Sequence, residues 1–262
     1  MNAIPIGTYV PGDSILHRLD PRTKMGATLL LMILPFAAHG LTGYVVLSAF
    51  ILAAVLLSGI SPGNLWRTLC TVFWIAFLMF FLYLFTTPGE PLVAVGSVAV
   101  TRQGVLAAGA QIYRLCLLIV IASLLTFTTS PIQLAHGLEA MLSPLEQARL
   151  PVRELAMVLT IALRFVPTLQ EEIDKIAKAQ RARGADFRTG GPLRRARNLV
   201  PVFVPIFVSA FRRADELATA MDARGFRSAS HRTRMRRLSL GPPDLIAALV
   251  VLGLALTIIW LG

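Results

Sequence analysis

The sequence predicts an all-α, polytopic membrane protein with about five spans and a cytoplasmic domain of long helices. Three observations lead there. Hydrophobic residues make up 55% of the 262-residue chain and charged residues 15%, with a mean hydropathy of +0.69, whereas an ordinary soluble domain is about 25% charged. Long apolar runs are punctuated by Pro/Gly turn signals. The charge is concentrated: Met25 to Thr129 holds only Arg67, Arg102, Arg114 and Glu90, while Pro131 to Arg237 holds nineteen Lys/Arg and ten Asp/Glu, net +9 of a total +11. So much apolar surface cannot hide in one globular core, which excludes a plain soluble enzyme, a disordered tail and a collagen-like chain. Four segments follow: a cytoplasmic N-terminus (1–24), a four-span membrane block (25–130), a cytoplasmic helical domain (131–240) and a last span (244–262).

In chain order, Asp20-Pro21 reads as N-cap and first position of the first span. Spans are expected at about Met25–Ala38, Tyr44–Ile60, Thr68–Thr86 and Gly104–Thr129. The second stops at Ser61-Pro62-Gly63-Asn64 and the third at Thr87-Pro88-Gly89-Glu90-Pro91. A spanning helix needs about 20 apolar residues, so the first is short. The runs lack the alternation of barrel strands and are therefore helices. No basic region and cleavage site follow Met1, so no signal peptide is expected. Arg18, Arg22 and Lys24 precede the first span, Arg67 lies between the second and third, and five arginines from Arg227 to Arg237 precede the last. The loops 38–43 and 87–101 carry no Lys or Arg. Basic residues favour the inner side, which places the N-terminus and the basic block inside and the C-terminus outside.

The basic block reads as helices. A short one covers about Pro131 to Leu142. After Pro151, Val152, Leu155, Leu159, Ala162, Val166, Leu169, Ile173 and Ile176 follow at alternating spacings of three and four, the signature of an apolar helical stripe. Pro167 is expected to kink this helix, and Gly184 to end it, because glycine accepts the left-handed conformation of a helix C-terminus. A turn at Gly190-Gly191-Pro192 leads to a second helix, about Leu193 to Arg224, ended by Gly225. Its apolar side is expected at Leu199, Phe203, Ile206, Ala210, Ala214, Leu217 and Met221. Ala179 to Gly184 and Ala220 to Gly225 both read Ala-x-x-Ala-Arg-Gly. The alanines let a partner backbone approach closely, and the Arg before the Gly stands at an exposed tip with a planar fork suited to a carboxylate. The offset that superposes the two motifs also superposes Glu171 and Glu172 on Arg212 and Arg213. If an approximate two-fold relates the helices, these acids and bases pair where the helices cross.

The chain resembles the transmembrane T component of energy-coupling factor transporters, which is related to the CbiQ-type cobalt permeases. The resemblance rests on His17 to Lys24 (HRLDPRTK), Ala162 to Leu169 (ALRFVPTL), Ala179 to Phe187 and Phe211 to Phe226. Phe226 departs from the tyrosine common in the family. The resemblance implies a multi-pass scaffold of the cell membrane in an importer of a vitamin or metal ion. Its partners would be two cytoplasmic ABC-type ATPases, a substrate-binding membrane S component and the lipid bilayer. Two long coupling helices would cross, and each tip, Ala182-Arg183-Gly184 and Ala223-Arg224-Gly225, would dock on one ATPase. The substrate choice would belong to the S component. ATP would be bound by the partners, and the scaffold itself would need no cofactor and no metal.

The residues agree with that division of labour. There is no Gly-x-x-x-x-Gly-Lys-Ser/Thr phosphate loop. Arg114 lies within a span and is a functional candidate on that ground, although pairing inside the bundle or a water-filled gap is the favoured reading. His39, His136 and His231 fit no metal spacing, and Cys70 and Cys116, both in apolar stretches, suggest neither a disulfide nor a zinc site. Two rival classes fit less well. A membrane enzyme acting on lipid phosphates should show His-Glu-x-x-His or clustered aspartates, and none is present. A membrane-tethered nucleic-acid binder, suggested by the pI of about 10.9, should align its bases on one face with stacking aromatics. Here the bases are interleaved with acids, so no nucleic-acid partner is expected.

Overall fold

The computed structural model describes residues 9–38, 40–95, 98–144, 151–185, 191–226 and 241–261. It contains ten helices among those residues: α1 (Ile15–Arg18), α2 (Pro21–Ala37), α3 (Gly40–Ser58), α4 (Pro62–Thr71), α5 (Phe73–Thr86), α6 (Arg102–Thr128), α7 (Pro131–Leu142), α8 (Val152–Ala182), α9 (Pro192–Ala223) and α10 (Pro242–Leu261). One hairpin, β1 (Pro91–Val95) and β2 (Val98–Thr101), interrupts them. The chain divides into two compact units, residues 1–140 with 237–262, and residues 141–236. The division falls after Ala140, so most of α7 belongs with the membrane helices.

The first unit is a helical membrane bundle that also holds the hairpin. α3, α6 and α10 are each long and apolar enough to cross a bilayer, and α4 with α5 qualifies as a bent pair. α2 has 17 residues, about 25 Å at about 1.5 Å per residue, close to the hydrocarbon thickness. Its start lies four residues before Met25, because Asp20 caps it: the carboxylate accepts from Arg22 N–H at 2.9 Å, and Pro21 occupies the first turn. The core draws one patch from each of four helices: Leu34 and Ala38 at the end of α2, Leu47 and Ile51 of α3, Leu117 and Ile121 of α6, and Leu254, Ala255 and Ile258 of α10. The last span thus returns to pack against the first, although the whole second unit intervenes in sequence.

Two departures from the expected spans have physical causes. The expected helix Thr68–Thr86 is two helices, bent by 52° at Val72. Asn64, Arg67, Thr68 and Thr71 recur at i, i+3, i+4 and i+7, which gives α4 one polar face suited to a membrane surface. α5 is apolar throughout and suited to lipid. No Gly or Pro marks the break. The expected loop 87–101 contains the hairpin, with Val95 opposite Val98 and Val93 opposite Val100. Its valine-rich composition favours extended backbone. α6 then approaches α5 closely: a Cβ on Gly104 would lie 3.0 Å from the Leu84 carbonyl oxygen.

A buried polar knot ties the N-terminal segment to α6 and α10. Lys24 donates from Nζ to the carbonyls of His17 (3.0 Å) and Thr128 (3.1 Å). Asp244 accepts from the backbone N–H groups of Asp20 (2.6 Å) and Gly241 (2.9 Å). The second of these is half of a capping box at the start of α10. Asp20, Lys24 and Asp244 are each 7% exposed or less.

Arg114 is placed by the same logic. Pro35 sits near the end of α2, where its carbonyl has no helical partner. Arg114 Nε fills that role at 2.9 Å, and Tyr44 OH donates to the same oxygen at 3.1 Å. The other guanidinium nitrogens donate to Gln111 Oε1 (3.2 Å) and Tyr44 OH (2.8 Å), and the fork lies over the Phe36 ring. Its pairing is therefore internal to the bundle.

The paired helices of the second unit and their tips

α8 and α9 are both long, with 31 and 32 residues. Each therefore extends about 50 Å, at about 1.5 Å per residue. Pro167 lies inside α8, and Pro201 and Pro205 inside α9. The faces differ from expectation. Of the expected stripe on α8, Val152 is buried, but Leu155, Leu159 and Ile173 are exposed. Among the described side chains of α9 the buried ones are Val202 and Ser209. A second apolar stripe, Leu199, Val200, Phe203, Val204, Phe207, Val208 and Phe211, faces outward and is 40–69% exposed. The expected stripe mixed these two faces, because α9 is apolar over more of its circumference than one core contact requires.

The two tips have one backbone geometry. Arg183 and Arg224 are the C-cap residues, with φ/ψ of −84°/7° and −88°/7°. Gly184 and Gly225 follow at φ of 88° and 72°, a region open to glycine without strain. In the first tip Gly184 N–H donates to Arg181 O and Ala185 N–H to Gln180 O; in the second, Gly225 N–H donates to Asp222 O and Phe226 N–H to Met221 O. Each pair of bonds is a Schellman motif, which satisfies the terminal carbonyls and stops the helix within one residue. Ala182, Arg183, Gly184, Ala223, Arg224 and Gly225 are all exposed. Both arginines therefore stand on rigid, self-satisfied ends with their side chains presented to solvent.

Where α8 meets α9, Glu172 lies at the centre of a polar cluster. Its carboxylate contacts Arg213 Nη2 at 2.9 Å, and its other oxygen accepts from the hydroxyl of buried Ser209. Ser209 first, then the charges of Arg213 and Arg212, hold the Glu172 carboxyl below its ordinary value, against an opposing effect of burial. Of the four residues singled out at this level, Glu172 and Arg213 form the ion pair, Arg212 adds its field, and Glu171 is exposed, with no ion pair among the described residues. Ser209 had no signal in the sequence beyond one small polar residue on an apolar helix. Among the described residues no three His, Cys, Asp or Glu side chains gather as a metal site, and His39 and His231 lie outside those residues.

The family model described as "Cobalt transport protein", CbiQ, matches residues 12–235. That range takes in both tips and the helices behind them. The chain belongs to the CbiQ/EcfT family of energy-coupling factor transporter transmembrane components. It is 48% identical over 254 residues to the energy-coupling factor transporter transmembrane protein EcfT of Thermosediminibacter oceani, covering 97% of this chain and 96% of that protein. The EcfT proteins of Acidaminococcus fermentans and Bacillus subtilis are 45% and 42% identical, covering 96% of this chain in both cases and 94% and 96% of their own lengths. As an EcfT family member the chain is a membrane component of a transporter and not itself an enzyme. The tips thus belong to a transport subunit.

Proposed function

We propose that this chain is the force-transmitting scaffold of an importer in the cell membrane. Its exposed Ala-Arg-Gly tips dock in two partner ABC-type ATPases, which bind the ATP. A membrane S component binds the vitamin or metal ion to be taken up. The N-terminus and residues 131–240 lie on the cytoplasmic side, where the ATPases are. The observation that carries this reading is the duplicated tip: two arginines on identically capped helix ends, in one unit joined by the Glu172–Arg213 pair. The outward apolar stripe of α9 supports a second membrane partner, since a stripe of this kind is unfavourable in water. No lipid-phosphate chemistry is favoured by any cluster of groups described above.

The test is substitution at the tips. Arg183→Ala and Arg224→Ala should each weaken co-purification of the ATPases and reduce ATP-driven uptake, with the membrane unit still folded. Losing one partner of a desolvated charge pair costs about 2–5 kcal/mol. Arg→Lys should also reduce both, because an ammonium cannot reproduce the planar fork. Normal ATPase retention and normal uptake in the double alanine variant would overturn the proposal.

A further inference from the structure

A groove of about 970 Å³ runs along the first unit between α2 and α10. Its walls are apolar and its floor is built from small residues: Gly26 and Ala27 on α2 and Ala248 on α10, flanked by Leu30, Val251 and Leu252. That volume is at the upper end of the roughly 300–1,000 Å³ typical of ligand sites. A Cβ built on Gly26 meets no atom within 4 Å, so the space above this glycine is open.

One end of the groove is polar. Arg22 lines it, and Arg22 Nε is buried with no hydrogen-bond acceptor. Asp244 also lines it, but its two oxygens are occupied by the N–H groups of Asp20 and Gly241. Asp20 accepts from the backbone of Arg22, not from its side chain. Both carboxylates lie in the field of the buried Lys24 ammonium. No ion pair of the Arg22 guanidinium occurs among the described residues, although two acids are nearby. A guanidinium with a buried, partnerless Nε and no ion pair, at the end of an apolar groove, is complementary to a molecule with one anionic end and a hydrocarbon body. Basic pockets between membrane helices on the cytoplasmic side are suited to phospholipid headgroups, and Arg matches phosphate with its fork.

We propose that the α2–α10 groove binds an anionic glycerophospholipid of the inner leaflet, its phosphate on Arg22 and an acyl chain along Gly26, Ala27 and Ala248. The leaflet rests on the orientation proposed above; binding does not depend on the ATPases, so a failure here leaves the coupling role intact. The experiment is native mass spectrometry of the full chain released from vesicles of phosphatidylcholine with a minority of phosphatidylglycerol. The wild-type chain should retain phosphatidylglycerol in preference, by about fivefold, the factor one basic side chain contributes at an anionic surface. Arg22→Gln should remove the preference while lipid is still retained. Gly26→Leu, which fills the groove, should lose bound lipid of both kinds. Unchanged melting in phosphatidylcholine alone identifies variants that remain folded. Equal retention of the two lipids by the wild type, an unchanged preference in Arg22→Gln, or full retention in Gly26→Leu would each overturn the proposal. So would displacement of the lipid by inorganic phosphate at equal concentration, which would mark a soluble-anion site.

Discussion

At Asp244 a single side chain holds two backbone segments from opposite ends of the chain. It accepts from Asp20 N–H at one oxygen and Gly241 N–H at the other, and it is 5% exposed. Asp244→Ala would strand both donors, each at about 1–3 kcal/mol, and would remove a counter-charge of Lys24. The variant should melt several degrees lower in detergent, followed by circular dichroism, whereas Asp13→Ala on the exposed N-terminal segment should not. The knot was only half legible in the sequence. Asp20-Pro21 announced a capped helix through local chemistry. Nothing local pointed Asp20 at Asp244, because that contact depends on how α10 returns to the bundle. Arg114 was legible as a charge needing partners, but the orphaned Pro35 carbonyl it satisfies follows from where α2 ends.

The longest helices among the described residues are the pair α8 and α9. Their lengths and glycine ends followed from periodicity and capping chemistry, and the observed termini lie within one residue of those expected. The bend at Val72 did not, because a polar face at helical spacing and an apolar run read as one helix unless the membrane surface is considered. The hairpin 91–101 has a local signal in the sequence: valine-rich stretches flank Gly96-Ser97, a dipeptide suited to a tight turn. The α8–α9 contact makes a charge-swap prediction. Glu172→Arg should impair uptake, and adding Arg213→Glu should restore part of it beyond the additive expectation. An additive double variant would show that the pair does not couple the helices. The same contact predicts a pH dependence. The Glu172 carboxyl is lowered by Ser209, Arg213 and Arg212. A depressed carboxyl stabilises the folded pair above its ordinary value of 4.5, and that stabilisation is lost as pH falls through the lower folded value. The contact should therefore be insensitive to pH from 7 to about 5, and loosen below that, as read by a spin-label distance between α8 and α9. Glu172→Gln should abolish the dependence.

For the whole molecule, sidedness is the property that the charge distribution predicts. A thiol introduced at Ser97, in a background lacking Cys70 and Cys116, should react with an impermeant reagent from outside, and one at Ser230 should not. Both sites lie outside the described residues, so labelling is an independent test. The reverse pattern would invert the orientation. The duplicated tips bear on a different property. Glu172 and Arg213 are related by the same sequence offset as Arg183 and Arg224 of the two Ala-Arg-Gly tips, and they touch. Equivalent positions of a duplicated element meet only on the axis that relates the copies. Two identical copies would bring the same side chain to that axis from both sides, carboxylate against carboxylate or guanidinium against guanidinium. A single chain escapes this restriction because its halves diverge separately, and here one half supplies the acid and the other the base. The contact is a lock that no homodimer of either half could close. Grafting the α8 sequence from Phe165 to Ala179 into the matching stretch of α9 would preserve length, tip and periodicity, yet it would set Glu172 against its own copy and force the helices apart.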